Sequence, residues 1–285
     1  MLRSCSKNEF ERNTDFLYEL ATDLTKSGYP TYCDGIKTKV EFVERSLKAF
    51  VRDTEHMLLF EYEGEVQGMI HYFWIPEDQY LQTICFNISE AIEQAIAEFL
   101  TYVSERFKGY DVFLRFPAEN NSAVNYLAGQ GFECIENDFN NTAFLEKFDA
   151  IRKTGDLIRI DKGNYELFES LHRQTEGYWN SERMLADLDN WIILVKETDG
   201  ISQGAVYYKP VALVDGWFEL YGIDMSQEDN NPELFKELLN AALIDAKHRN
   251  GRFMTFFCDE EYEKATVECG FFCVGNNLCY KAHLE

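Results

Sequence analysis

The chain has 285 residues, beyond the usual single-domain size of about 100–150 residues, so two domains are expected. Its 46% hydrophobic and 15% aromatic content and its five prolines exclude a disordered chain and supply ample core. The formal charge of −23 is shared by both halves, residues 1–150 holding 13 Lys/Arg against 26 Asp/Glu. Such a surface repels phosphate backbones and anionic lipid heads, so no nucleic acid and no membrane is expected as a partner, while cationic amines are tolerated.

In chain order, the opening "MLRSCSKNEF" lacks the apolar core of a signal peptide. No later run reaches the length of a membrane span, so a cytoplasmic location is expected. A short strand over Leu2–Ser6 leads into an amphipathic helical region. Then "HMLLFEYEGEVQGMIHYFWI" alternates apolar and polar residues about a Gly-containing turn, the pattern of a β-hairpin. A strand follows over Tyr80–Ile88, and then a helix with Ser89 as its cap. Ile92, Ala95, Ile96, Phe99 and Val103 form its apolar face and Gly109 its stop. The strand "VFLRF", a short helix ending in Gly131-Phe132 and a closing strand pair complete the first half.

The second half repeats that order. A strand at Leu157–Asp161 precedes helical sequence and the hairpin "WIILVKETDGISQGAVYYK", then the strand "WFELYGIDM". Asn231 caps the next helix, Pro232 sits in its first turn, and Leu234, Leu238, Leu239 and Leu243 form its stripe up to Gly251. "RFMTFF", a short helix ending in Gly270-Phe271 and another closing pair follow. Two local matches make the repeat explicit. "GEVQGMIHYF" (64–73) returns as "GISQGAVYYK" (200–209), and "GFECIEN" (131–137) as "GFFCVGN" (270–276). Two domains are therefore expected, 1–150 and 151–285, joined through the charged stretch "EKFDAIRKTGD". Each is expected to be α/β (α+β), a mixed, mostly antiparallel sheet flanked by helices.

Eight cysteines include the cluster Cys258, Cys269, Cys273 and Cys279, with His283 beyond. Its C-x10-C-x3-C-x5-C spacing matches no zinc pattern, and two members lie in apolar strand-like runs, so buried thiols and no metal are expected.

The element order, with "AENNSAVNYLAGQGF" (118–132), resembles the GNAT superfamily of N-acetyltransferases, written twice in tandem. The resemblance implies transfer of an acetyl or other acyl group from acyl-CoA to the amine of a small or cationic substrate. It also implies that acetyl-CoA lies where the fourth and fifth strands diverge, with its pantetheine arm along the fourth strand. In the first copy this points to the backbone of Phe86, Asn87 and Ile88 and the side chain of Asn120, where the second copy has Asp259. The family's leaving-group tyrosine finds Tyr126 one position from its expected place, which Leu127 and Thr266 occupy in the two copies. Glu219, on the fourth strand of the second copy, is the candidate general base and Asp224 a further acid there. His71 is read as a hydrogen-bonded sheet histidine.

The resemblance stops at the pyrophosphate loop, which in the family is rich in Gly and Arg and uses the helix N-terminus to hold phosphate. Here the first copy carries Glu90 and Glu93, and the second Glu228, Asp229 and Glu233. Each carboxylate costs about 1–3 kcal/mol against a nearby diphosphate. A non-catalytic protein of this fold that has lost acetyl-CoA binding is therefore the alternative. In a third reading, the diverging strands of one copy receive a segment of the other.

Overall fold

The structure is a computed structural model that describes residues 1–28, 38–149, 155–172, 178–211, 215–226 and 231–285. The chain forms two compact units, unit 1 of Met1–Asp138 with Val274–Glu285 and unit 2 of Phe139–Cys273. These differ in kind from the repeat boundary expected near residue 150, because compactness follows strand pairing and not sequence similarity.

In unit 1 the strands are β1 (Leu2–Ser4), β2 (Glu55–Tyr62), β3 (Glu65–Ile75), β4 (Tyr80–Ile88) and β5 (Asp111–Pro117). They pair in that order, and the last strand of the chain, β12 (Phe272–His283), pairs with β5 through Asn277–His283. Helices α1 (Lys7–Ala21) and α2 (Lys39–Leu47) pack on one face of this sheet, α3 (Ile92–Ser104) and α4 (Asn121–Gly129) on the other. Between them lie two apolar layers, Phe10, Phe42, Met57 and Met69 on the first face and Ile70, Phe86, Phe99 and Leu127 on the second.

Unit 2 repeats the plan with β7 (Ile158–Arg159), β8 (Ile192–Thr198), β9 (Ile201–Pro210), β10 (Trp217–Met225) and β11 (Phe253–Cys258). Its remaining strand comes from β6 (Glu133–Phe144), whose Phe139–Phe144 pair with β11. The short α5 (Glu166–Glu169) and α6 (Ser181–Ala186) cover one face, α7 (Pro232–His248) and α8 (Glu260–Glu268) the other.

The hairpins are equivalent in detail. Both have two-residue turns with positive φ at both positions, Glu63 (51°) and Gly64 (87°), then Asp199 (53°) and Gly200 (81°). This turn has the twist that two paired strands need. Gly68 and Gly204 fall at matching places in β3 and β9, and Gly131 and Gly270 follow α4 and α8 with φ of 79° and 97°.

Two expectations are corrected. Ser89 does not cap α3. Its N–H and its hydroxyl both donate to the Gln67 carbonyl, at 2.8 and 2.9 Å, which ties it to the hairpin, and the helix starts behind Ala91 at φ 57°. The closing strand pairs are instead single 12-residue strands, β6 and β12. Asn231 caps α7 as expected, accepting from the Glu233 and Leu234 N–H groups. Cys258, Cys269 and Cys279 are buried and Cys273 is exposed. Among the described residues no helix is long and apolar enough to cross a membrane.

Candidate functional site

The sequence places its candidates on the fourth strand of each copy, and there both units carry the same irregularity. β4 pairs with β5 only through Tyr80–Gln82, and β10 with β11 only through Trp217–Leu220. Just beyond, each strand skips a residue against its hairpin partner, at Ile84 in β4 and Tyr221 in β10. Such a bulge bends its strand, and past it β4 and β10 run without β5 or β11 as a ladder partner. Each unit therefore has a splay between two parallel strands.

The splay of unit 1 is filled by the chain itself. The Ile88 N–H donates to the Lys26 carbonyl at 3.1 Å, and the Gly28 N–H to Asn87 Oδ1 at 3.2 Å. Asn120 Nδ2 donates to the Ser27 carbonyl at 3.1 Å, while its Oδ1 accepts from the Ala123 N–H and caps α4. Gly28 lies so close to β4 that a Cβ there would fall 2.5 Å from Phe86 Cβ. Phe86, Asn87, Ile88 and Asn120 thus do come together, around Lys26–Gly28. Tyr126 lies on α4, packed against the apolar layer of that face.

Unit 2 differs. In β4 the residues Cys85–Ile88 are all buried, whereas in β10 the equivalent stretch Gly222–Met225 is partly exposed throughout. Glu219 stands opposite Lys209 in the ladder, and the Tyr221 hydroxyl donates to its Oε2 at 3.1 Å. Asp224 stands opposite Ala205 and accepts from His172 Nδ1 at 2.7 Å. His172 Nε2 reaches the Trp179 carbonyl at 2.9 Å. Glu228 and Asp229, expected at the start of α7, lie outside the described residues.

The same face of unit 2 carries features that composition did not single out. The Lys209 ammonium sits over the rings of Trp179, Trp191 and Tyr221, and burial lowers its pKa while Asp187 and Glu219 oppose that shift. One signal was available, since the repeat aligns Lys209 with Phe73 and so writes a cation where its twin has a ring. In unit 1 this face holds His71 Nε2 at 3.0 Å from the buried carboxylate of Glu55, the sheet histidine expected. Among the described residues no group of three or more His, Cys, Asp or Glu is disposed to hold a metal ion.

The backbone of the chain superposes along its whole length on known structures. A GCN5-related N-acetyltransferase from Sphaerobacter thermophilus superposes with a TM-score of 0.66 at 10% identity, over 100% of this chain and 96% of that one. A tandem GNAT protein from the clavulanic acid biosynthesis pathway, solved without AcCoA, gives 0.55 at 10% identity, over 100% and 98%. An acetyltransferase of the GNAT family from Colwellia psychrerythraea gives 0.51 at 11% identity, over 99% of each chain. The fold is that of the GNAT N-acetyltransferases. No family model matches the chain, and no curated protein matches it by sequence. The GNAT likeness is thus one of backbone architecture, at 10–11% sequence identity.

Proposed function

We propose that the chain is a GNAT-type N-acyltransferase that moves an acetyl or other acyl group from acyl-CoA to the amine of a small cationic substrate, with unit 2 carrying the chemistry. The contrast between the splays supports this reading. Lys26–Gly28 already satisfies β4 and Asn120, whereas Gly222–Met225 of β10 keep partial exposure.

The backbone of Gly222–Met225 fits the amide-bearing pantetheine arm, which needs strand-like partners. The diphosphate end fits less well. Asn231 already takes the first N–H groups of α7, and Glu233 adds a carboxylate in its first turn. No diphosphate contact is therefore assigned. Acyl-CoA, when bound, supplies a thioester carbonyl open to attack by an amine. Glu219, half-buried on β10, takes the proton that the attacking nitrogen loses as the C–N bond forms and the C–S bond breaks. The Tyr221 hydroxyl orients that carboxylate. Thr266, buried and aimed at Cys258, offers no acid for the departing thiolate, which leaves with its electron pair and is protonated by solvent. The corresponding arrangement in unit 1, with Phe86, Asn87, Ile88 and Asn120 on the arm and Tyr126 as acid, requires Lys26–Gly28 to withdraw.

Hydrogen exchange with and without acetyl-CoA, paired with thiol release over a panel of amines, tests the proposal. Protection at residues 222–226 and loss of turnover in Glu219→Gln are expected. Protection at 85–88 with deprotection of 26–28 would move the donor to unit 1. Protection nowhere would replace the enzyme reading with the non-catalytic one.

A further inference from the structure

Lys209 is held by rings and not by carboxylates. Its Nζ lies 3.8 Å from the ring centre of Trp179, 4.5 Å from Trp191 and 5.0 Å from Tyr221. The rings brace one another edge to face, Trp179 against Trp191 at 5.1 Å and Trp191 against Tyr221 at 4.9 Å. Trp191 is buried, and the Trp179 carbonyl is pinned by His172. The three walls come from separate parts of unit 2, the turn before α6, the start of β8 and the bulge of β10. The box is therefore preformed, and the repeat does not explain it, because Glu55 and Phe73 stand where Trp191 and Lys209 do.

Lys209 fits this box imperfectly. A primary ammonium carries three N–H donors, and Lys209, half-buried and with no protein acceptor or ion-pair partner in contact among the described residues, has only water to receive them. Asp187 and Glu219 act on it only through space. A quaternary ammonium has no donor and needs no such water inside the box, and its methyl groups spread the charge over the ring faces.

We propose that Trp179, Trp191 and Tyr221 form a binding site for the trimethylammonium group of a small molecule, with Lys209 as an internal placeholder that the ligand displaces. The site does not depend on the acyltransfer reading, and its test contains no acyl-CoA.

The probe is tetramethylammonium chloride, titrated against the full chain and followed by tryptophan fluorescence. Sodium chloride at equal ionic strength is the blank and methylammonium the comparator. Lys209→Ala should show a saturable change, with tetramethylammonium bound about tenfold tighter than methylammonium. Adding Trp179→Ala to that variant should weaken binding by at least about tenfold. The wild type should bind about tenfold more weakly than Lys209→Ala, because its own lysine competes at high effective concentration. In the wild type, saturating tetramethylammonium should also raise acetylation of Lys209 by N-hydroxysuccinimidyl acetate about threefold, read by peptide mass spectrometry. A response in Lys209→Ala no larger than the sodium chloride blank overturns the proposal, as does equal affinity for the two cations. If Lys209→Ala does not fold, the labelling decides, and unchanged acetylation of Lys209 overturns the proposal in the wild type.

Discussion

Among the described residues, both ring nitrogens of His172 face acceptors. Asp224 takes one ring nitrogen at 2.7 Å and the Trp179 carbonyl the other at 2.9 Å, so both nitrogens must donate and the ring carries two protons. Burial pulls its pKa down, but the bonds to Asp224 and to Trp179 outweigh it and the net direction is up. The stabilisation is therefore complete below the unfolded value of about 6.5 and is lost as pH rises through the folded value. His172→Gln should cost about 2 kcal/mol at pH 6 and clearly less at pH 9, measured by urea unfolding. A pH-independent cost would contradict the doubly protonated ring. Glu55 in unit 1 responds in the opposite sense. Burial opposes its charge, but His71, Arg45 and Arg52 overcome this and hold its carboxyl down at about 2. His71 is itself lowered to about 4, chiefly by burial. Both shifts make unit 1 lose stability in acid, His71 as pH falls from about 6.5 toward about 4 and Glu55 below about 4.5. Glu55→Gln leaves Arg45 without its partner and should cost about 3 kcal/mol at pH 7 by the same measurement.

At the scale of elements, the bulges in β4 and β10 produce one geometry and the connectors use it differently. Gly28 permits its segment to lie against β4, since a Cβ there would meet Phe86 Cβ at 2.5 Å and its backbone N at 2.6 Å. Gly28→Val should therefore expel Lys26–Gly28 from the splay, with the loss of three hydrogen bonds, at a cost of about 2–3 kcal/mol. Hydrogen exchange should then show residues 85–88 newly labelled while β2 and β3 stay protected. Retained protection at 85–88 would mean that the segment does not seal the strand.

For the whole molecule, the strand memberships decide which pieces can stand alone. Residues 1–150 contain the first repeat but lack Asn277–His283, the partners of Asp111–Pro117 along the full length of β5. That fragment would leave the edge of β5 open, with the apolar residues Leu278 and Tyr280 missing from the layer beneath. It should not give a cooperative unfolding transition or dispersed amide spectra, whereas residues 1–138 linked to 274–285 should give both. A folded, monomeric 1–150 fragment would show that the last strand is dispensable.

The sequence by itself determined the duplication, the element types and most of the face assignments. These depend on local signals such as the Glu63-Gly64 and Asp199-Gly200 turns and the apolar stripe of Leu234, Leu238 and Leu239. It also brought Phe86, Asn87, Ile88 and Asn120 to one place, because strand order alone makes them neighbours. What occupies that place was not legible. The contacts of Lys26–Gly28 with β4 span about sixty residues of chain, and a Gly-containing loop after a helix has no local mark of where it docks. The same holds for the box around Lys209, whose walls are scattered over forty-odd residues. Only the tertiary structure decided that the strands ending each repeat are partnered by β5 and β11 as they are, since an alternating apolar strand pairs equally well with any edge of matching pattern.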